Sequence, residues 1–134
     1  LHPDGGMLKR ILLPFRMGVG GKLGQGTQPI SWVSLRDAIA AFRFCSDKVS
    51  INGPFNLCAP ERVTNAEFTL ALGKAIRRPT FLKIPSFTLK SVFGEELSRV
   101  MLGGASMSSA KLESTGFQFR DPDLSETLSN MLST

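Results

Sequence analysis

A run of glycines followed by a capped amphipathic helix limits what this chain can build. Gly18, Gly20, Gly21, Gly24 and Gly26 fall within nine residues, a density that predicts a loop able to approach another backbone or a ligand closely. Downstream, Ser34-Leu35-Arg36-Asp37 reads as a helix start. Ser34 supplies the capping oxygen, and Asp37, three residues on, is placed to reach back to it in an approximate capping box. Leu35, Ala38, Ile39, Phe42 and Cys45 then recur at i, i+3, i+4, i+7 and i+10, one apolar stripe on a 3.6-residue period. That spacing predicts an amphipathic helix whose stripe would cover a sheet and is left short of partners in this chain. Trp32, the sole Trp, and Gln28, four residues before it, stand just outside the helix start. Each has two readings, a ligand contact or a structural one: core for Trp32, a tie for the loop backbone for Gln28.

Other segments read by the same rules. Leu8, Ile11, Leu12 and Phe15 predict a short helix with Pro14 near its end. Phe55–Ala59, after the Asn52-Gly53-Pro54 turn, reads as a strand of a parallel sheet because both its faces can be apolar. Thr64-Asn65-Ala66-Glu67 is a capping box of the T-x-x-E type. It opens a helix whose face is Phe68, Ala71, Leu72, Ala75 and Ile76, and which stops at Arg78-Pro79. A strand over Thr80–Ile84, a helix from Pro85 to Phe93 and a helix over Glu95–Leu102 with Leu97, Val100 and Met101 inward are expected next. Ser109–Thr115 is a short helix stopped by Gly116, and Phe117 and Phe119 alternate with polar residues as in a half-buried strand. Asp123 caps a last helix carrying Leu124, Leu128, Met131 and Leu132.

Composition removes several function classes. At 134 residues with 42% hydrophobic content the chain is long enough for a real core. No apolar run approaches the ~20 residues of a membrane helix and no signal segment opens the chain, so a cytoplasmic protein without membrane contact is expected. Cys45 and Cys58, with His2 for company, form no zinc-ligand pattern and read as buried thiols in a reducing compartment. The net charge of +5 comes from basic residues scattered from Lys9 to Arg120 in runs no longer than two, which argues for solvated surface rather than nucleic-acid binding. The glycine loop is neither a dinucleotide fingerprint nor a P-loop. The first needs Gly where Leu23 stands, and the second needs Gly at Arg16 and Ser or Thr at Leu23.

The motifs around that loop resemble a known family. Extended short-chain dehydrogenases and sugar-nucleotide epimerases carry G-x-x-x-R-D-(F/Y/W)-I-H-V-x-D after their sixth strand. The epimerase family protein branch is more similar, with P-F-(K/R)-x-G-x-G-G-x-x-G-x-G-x-Q-x-x-x-W-I-H-I-x-D. Here Pro14-Phe15-Arg16-Met17-Gly18-Val19-Gly20-Gly21, Gly24, Gly26, Gln28, Trp32 and Asp37 match it. The segments Asn56–Phe68 and Gly116–Leu128 resemble the same branch. Aligned on Gly26 and Asp37, the motif's Arg and following Asp are Ile30 and Ser31, and the branch's His is Ser34. In sugar-nucleotide epimerases that Arg is expected to grip substrate phosphates.

The resemblance implies an α/β chain: the C-terminal part of a Rossmann-like NAD(P)-binding epimerase fold over residues 1–79, then a small α+β substrate subdomain over 80–134. It implies the substrate-side portion of an NAD(P)-dependent nucleoside-diphosphate-sugar epimerase or oxidoreductase. Gln28, Trp32 and Arg16 would form the rim of a pocket for a small polar substrate. The family's Gly-rich cofactor turn and its Tyr-x-x-x-Lys lie upstream of the matched region, and this sequence has no Tyr. The chain alone is therefore expected to be non-catalytic and to bind no cofactor, with NADP, or NAD, held by the parent. A non-catalytic NAD(P)-sensing or protein-interaction module on the same fold is the alternative. Missing sheet neighbours also predict self-association of the 134-residue chain.

Overall fold

The computed structural model describes residues 1–48, 52–85, 87, 91 and 94–133. The elements in order are α1 (Gly6–Arg16), β1 (Gly21–Leu23), β2 (Pro29–Ile30), α2 (Leu35–Asp47), β3 (Val63–Thr64) and α3 (Asn65–Ala75). They continue with β4 (Leu82–Ile84), α4 (Glu95–Gly103), α5 (Ala110–Ser114) and α6 (Leu124–Leu132). Helix α1 buries Leu8, Leu12 and Phe15, the spacing its sequence prescribes. The glycine segment contains β1, where a loop is expected from sequence. β1 pairs in parallel with β4, Gly21 opposite Leu82 and Leu23 opposite Ile84. A Cβ on Gly21 would stand 2.1 Å from the Leu82 carbonyl oxygen, and one on Gly20 would fall 2.4 Å from the Phe15 ring. Those two glycines serve close packing inside the chain.

β2 and β3 form an antiparallel pair with Ile30 opposite Val63. Thr64 then caps α3 as expected, its hydroxyl accepting the Glu67 N–H while the Glu67 carboxylate accepts the Thr64 N–H at 2.7 Å. α6 lies along α3. The main core joins Leu8, Leu12 and Phe15 of α1 to Trp32, Val63, Phe68 and Leu72, and to Leu124 and Leu128 of α6. Residues from both 1–79 and 80–134 share it. A second cluster sets Ala41 of α2 against Leu112 of α5 and Phe117, with Phe44 and Phe119 packed around them.

The α2 stripe is short of partners, as expected: Leu35, Ile39 and Phe42 are 44%, 45% and 70% exposed, whereas the buried residues are Asp37 and Ala41. The second cluster takes the Ala41 face, with Cys45 packed against it. Two local expectations are corrected. Phe55–Ala59 forms no ladder among the described residues; one bond, the Ala59 N–H to the Trp32 carbonyl at 2.7 Å, ties it down. Phe117–Phe119 pairs with no strand among the described residues; its rings pack edge-on with each other and with Phe44, centroids 5.0 and 5.3 Å apart. The expected helix from Pro85 to Phe93 falls largely outside the described residues, as do the side chains of Leu97, Val100 and Met101.

Candidate functional site

A cleft of about 530 Å³ opens between α1, the two short strand pairs, the first turns of α3, and α4. Its walls are mostly aliphatic and aromatic: Ile11, Pro14 and Phe15 from α1, Leu23 from β1, Ile30 from β2, Phe68 from α3 and Ile84 from β4. The polar lining is Ser31, Asn65, Thr69 and Arg99. Asn65 is buried at the α3 start, where its Oδ1 accepts the Leu23 N–H at 2.7 Å and its own N–H donates to the Gln28 carbonyl at 2.9 Å. Its amide nitrogen has no partner among the described residues. Ser31 is fully engaged: its hydroxyl donates to the Ala105 carbonyl at 2.7 Å and accepts the Met107 N–H at 3.0 Å. With the Ala105 N–H on the Pro29 carbonyl, these bonds zip β2 to the segment after α4. Gly104 makes that approach possible, since at φ +66° a Cβ there would stand 2.6 Å from the Pro29 oxygen. Arg99, on α4, is the sole charged residue of the lining and has no ion-pair partner among the described residues.

None of the residues expected to contact substrate lines this cleft. Trp32 is in the main core, 4% exposed, and its indole N–H has no acceptor among the described residues. Gln28 is half-buried and donates through Nε2 to the Leu23 carbonyl at 3.3 Å, so it braces the loop behind the wall. Arg16 is exposed in the last turn of α1. The sequence singles out neither Asn65, which falls inside the Thr64–Glu67 capping box, nor Arg99, which falls within the expected Glu95–Leu102 helix. The available signal was an arginine inside the apolar run Leu97-Ser98-Arg99-Val100-Met101-Leu102.

The start of α2 does a different job from the one expected of it. Ser34 caps as expected, accepting the Asp37 N–H at 3.0 Å. The Asp37 carboxylate, however, is fully buried and accepts the Arg120 and Asp121 N–H groups at 3.0 and 2.9 Å. Asp121 returns the contact: its Oδ2 accepts from the Ser34 hydroxyl at 2.6 Å and from Arg36 Nε at 3.1 Å, and Arg36 closes an ion pair to its Oδ1. Ser34 thus holds the helix start and the 120–121 turn together.

The remaining chemistry is spare. Burial, with Glu113 adding to it, pushes the Cys58 thiol up, so Cys58 stays protonated and unreactive. Among the described residues, no group of three or more His, Cys, Asp or Glu is placed to hold a metal ion. No helix among them is long and apolar enough to cross a membrane. Gly20 and Gly21 are filled from within, and β1 runs into a turn rather than the helix N-terminus that a dinucleotide pyrophosphate uses.

The chain has relatives along nearly all its length. The family described as a domain of unknown function (DUF1731) matches residues 84–131. An epimerase family protein of Mycobacterium bovis is 43% identical over 96% of this chain and 42% of its own length. Epimerase family protein SDR39U1 of Mus musculus is 35% identical over 98% of this chain and 45% of its own. The crystal structure of human epimerase family protein SDR39U1 (isoform 2) with NADPH matches all of this chain and 45% of its own at a TM-score of 0.94 and 31% identity. A nucleoside-diphosphate sugar epimerase from Corynebacterium glutamicum matches at a TM-score of 0.71 and 28% identity, over 98% of this chain and 24% of its own. The chain spans less than half the length of each of these relatives.

Proposed function

The chain belongs to the epimerase family, as its C-terminal portion, and from that premise we propose that it forms the substrate-side wall of an NADP-dependent epimerase or oxidoreductase. The cleft between α1, α3 and α4 is then the substrate site. The observation that carries this reading is the cleft itself: preformed, apolar, of ligand size, and fitted with a few polar groups from separate elements. NADPH in the human relative's structure supports NADP as the cofactor of the whole protein. Gly20 and Gly21 are packed from within the chain, which supports a cofactor held by other polypeptide of the parent.

No His, Cys, Asp, Glu or Lys is among the described lining residues, which supports an acid–base group supplied by other polypeptide of the parent. If the parent carries no acid–base residue opposite the cleft, the second reading holds, a sensor that binds without turnover. Gln28 and Trp32 act in either case by fixing the loop and the core beneath the wall, and Arg16 stands outside the site. The test uses the full-length protein with Ala105→Trp, an exposed cleft-lining position where an indole fills space without entering the core. NADPH affinity should be unchanged, while NADPH oxidation across a panel of carbonyl compounds, and binding of any cleft ligand, should be lost. Unchanged turnover and ligand binding would place the substrate elsewhere.

A further inference from the structure

The cleft has a chemistry that the family name does not predict. We propose that it takes a substrate with an apolar body and a single anionic group, a carboxylate paired with Arg99, and not a nucleoside-diphosphate sugar. The inference rests on the cleft being the substrate site and goes on to name the substrate class. Where the sugar-nucleotide motif sets its phosphate-gripping arginine, this chain has Ile30, and Ile30 is part of the cleft wall. A diphosphate would meet a branched aliphatic side chain at that point.

The rest of the lining agrees. A nucleotide sugar brings two phosphates and many hydroxyls, each of which loses water on entry and needs a partner. Ser31 is committed on both its donor and acceptor sides, and Asn65 Oδ1 is committed to Leu23. Among the described residues, the Asn65 amide nitrogen, the Thr69 hydroxyl and the guanidinium of Arg99 have no hydrogen-bond or ion-pair partner. One guanidinium without a partner among the described residues matches one carboxylate, whose two oxygens fit its fork. The aliphatic walls then reward an apolar body rather than a sugar.

Calorimetric titration of the full-length protein with decanoate, decan-1-ol and UDP-glucose tests this. Decanoate should bind more tightly than either of the others. Arg99→Gln should weaken decanoate about tenfold or more, to the level of the alcohol, and leave the alcohol unchanged. Ala105→Trp should abolish both. UDP-glucose binding that is tighter than decanoate and blocked by Ala105→Trp would overturn the substrate class and leave the cleft as the site. No decanoate binding, or equal decanoate affinity in Arg99→Gln, would overturn the substrate class as well. Decanoate binding that survives Ala105→Trp would overturn the cleft reading itself.

Discussion

Helices α2 and α3 start alike and are finished by different means. Each is opened by a hydroxyl that accepts the N–H three residues on, at 3.0 Å from Ser34 and 3.3 Å from Thr64. In α3 the acid at that third position turns back and closes the box locally. In α2 the corresponding Asp37 reaches across the chain to residues 120 and 121. The apolar faces diverge too. Phe68 and Leu72 of α3 are sealed by α1 and α6, while Ile39 and Phe42 of α2 look outward. A helical period therefore identifies a face that wants burial, and says nothing of what buries it. Since this chain spans less than half of its relatives' length, we expect the α2 stripe to be covered by further polypeptide of the parent, or by a second copy when the 134 residues stand alone.

The two helices should respond to substitution very differently. The largest effect belongs to α3: Leu72→Ala, at a fully buried position, should cost about 3–5 kcal/mol in urea denaturation of the 134-residue chain. Asp37→Ala comes next. It leaves two N–H groups of the 120–121 turn without acceptors, for a loss of about 2–4 kcal/mol. A much smaller loss would make the long-range contact of α2 dispensable and bring the two helices closer in kind.

Thr64→Ala should cost about 1 kcal/mol by removing the α3 cap. The Thr64 N–H, and then its hydroxyl, hold the Glu67 carboxyl below the usual glutamate range. Because the folded-state value is the lowered one, the box is fully effective above the unfolded glutamate pKa and loses its contribution as pH falls through the folded value. Denaturation of wild type and Thr64→Ala across an acid series should show the gap between them narrowing as the hydroxyl-to-carboxylate bond is lost, while the cap on the Glu67 N–H keeps it open. The smallest effect on stability belongs to the α2 stripe. Phe42→Ser should change unfolding free energy by less than about 0.5 kcal/mol while lowering the apparent mass in light scattering at high concentration. A large stability loss there would mean that Phe42 is covered within one chain.

What was legible in the sequence follows the same division between local and distant. The Thr64 box, the Asp123 cap on α6 and the stop at Gly116, where φ is +90°, are all written within a few residues and were read correctly. Among the strands, β4 falls inside the expected Thr80–Ile84, and the shorter pairings are not legible. β1, β2 and β3 have two or three residues each, and their pairing is settled by chain that returns from far away. The role of the Asp37 carboxylate was hidden for the same reason, its partners lying 83 and 84 residues on. The cleft is the extreme case. Ile30, Asn65 and Arg99 come from three separate elements, and no motif spacing joins them. Trp32 carried two readings from sequence, and the structure puts it among Leu8, Phe68 and Leu128.

The most direct test of the substrate-side assignment is a parallel calorimetric titration of NADPH into the full-length protein and into the 134-residue chain, with circular dichroism confirming that the shorter chain is folded. Saturable NADPH binding to the full-length protein and none to the folded 134-residue chain is the expected outcome. Saturable micromolar binding to the 134 residues alone would mean that the cofactor site is built within them, and would contradict the assignment.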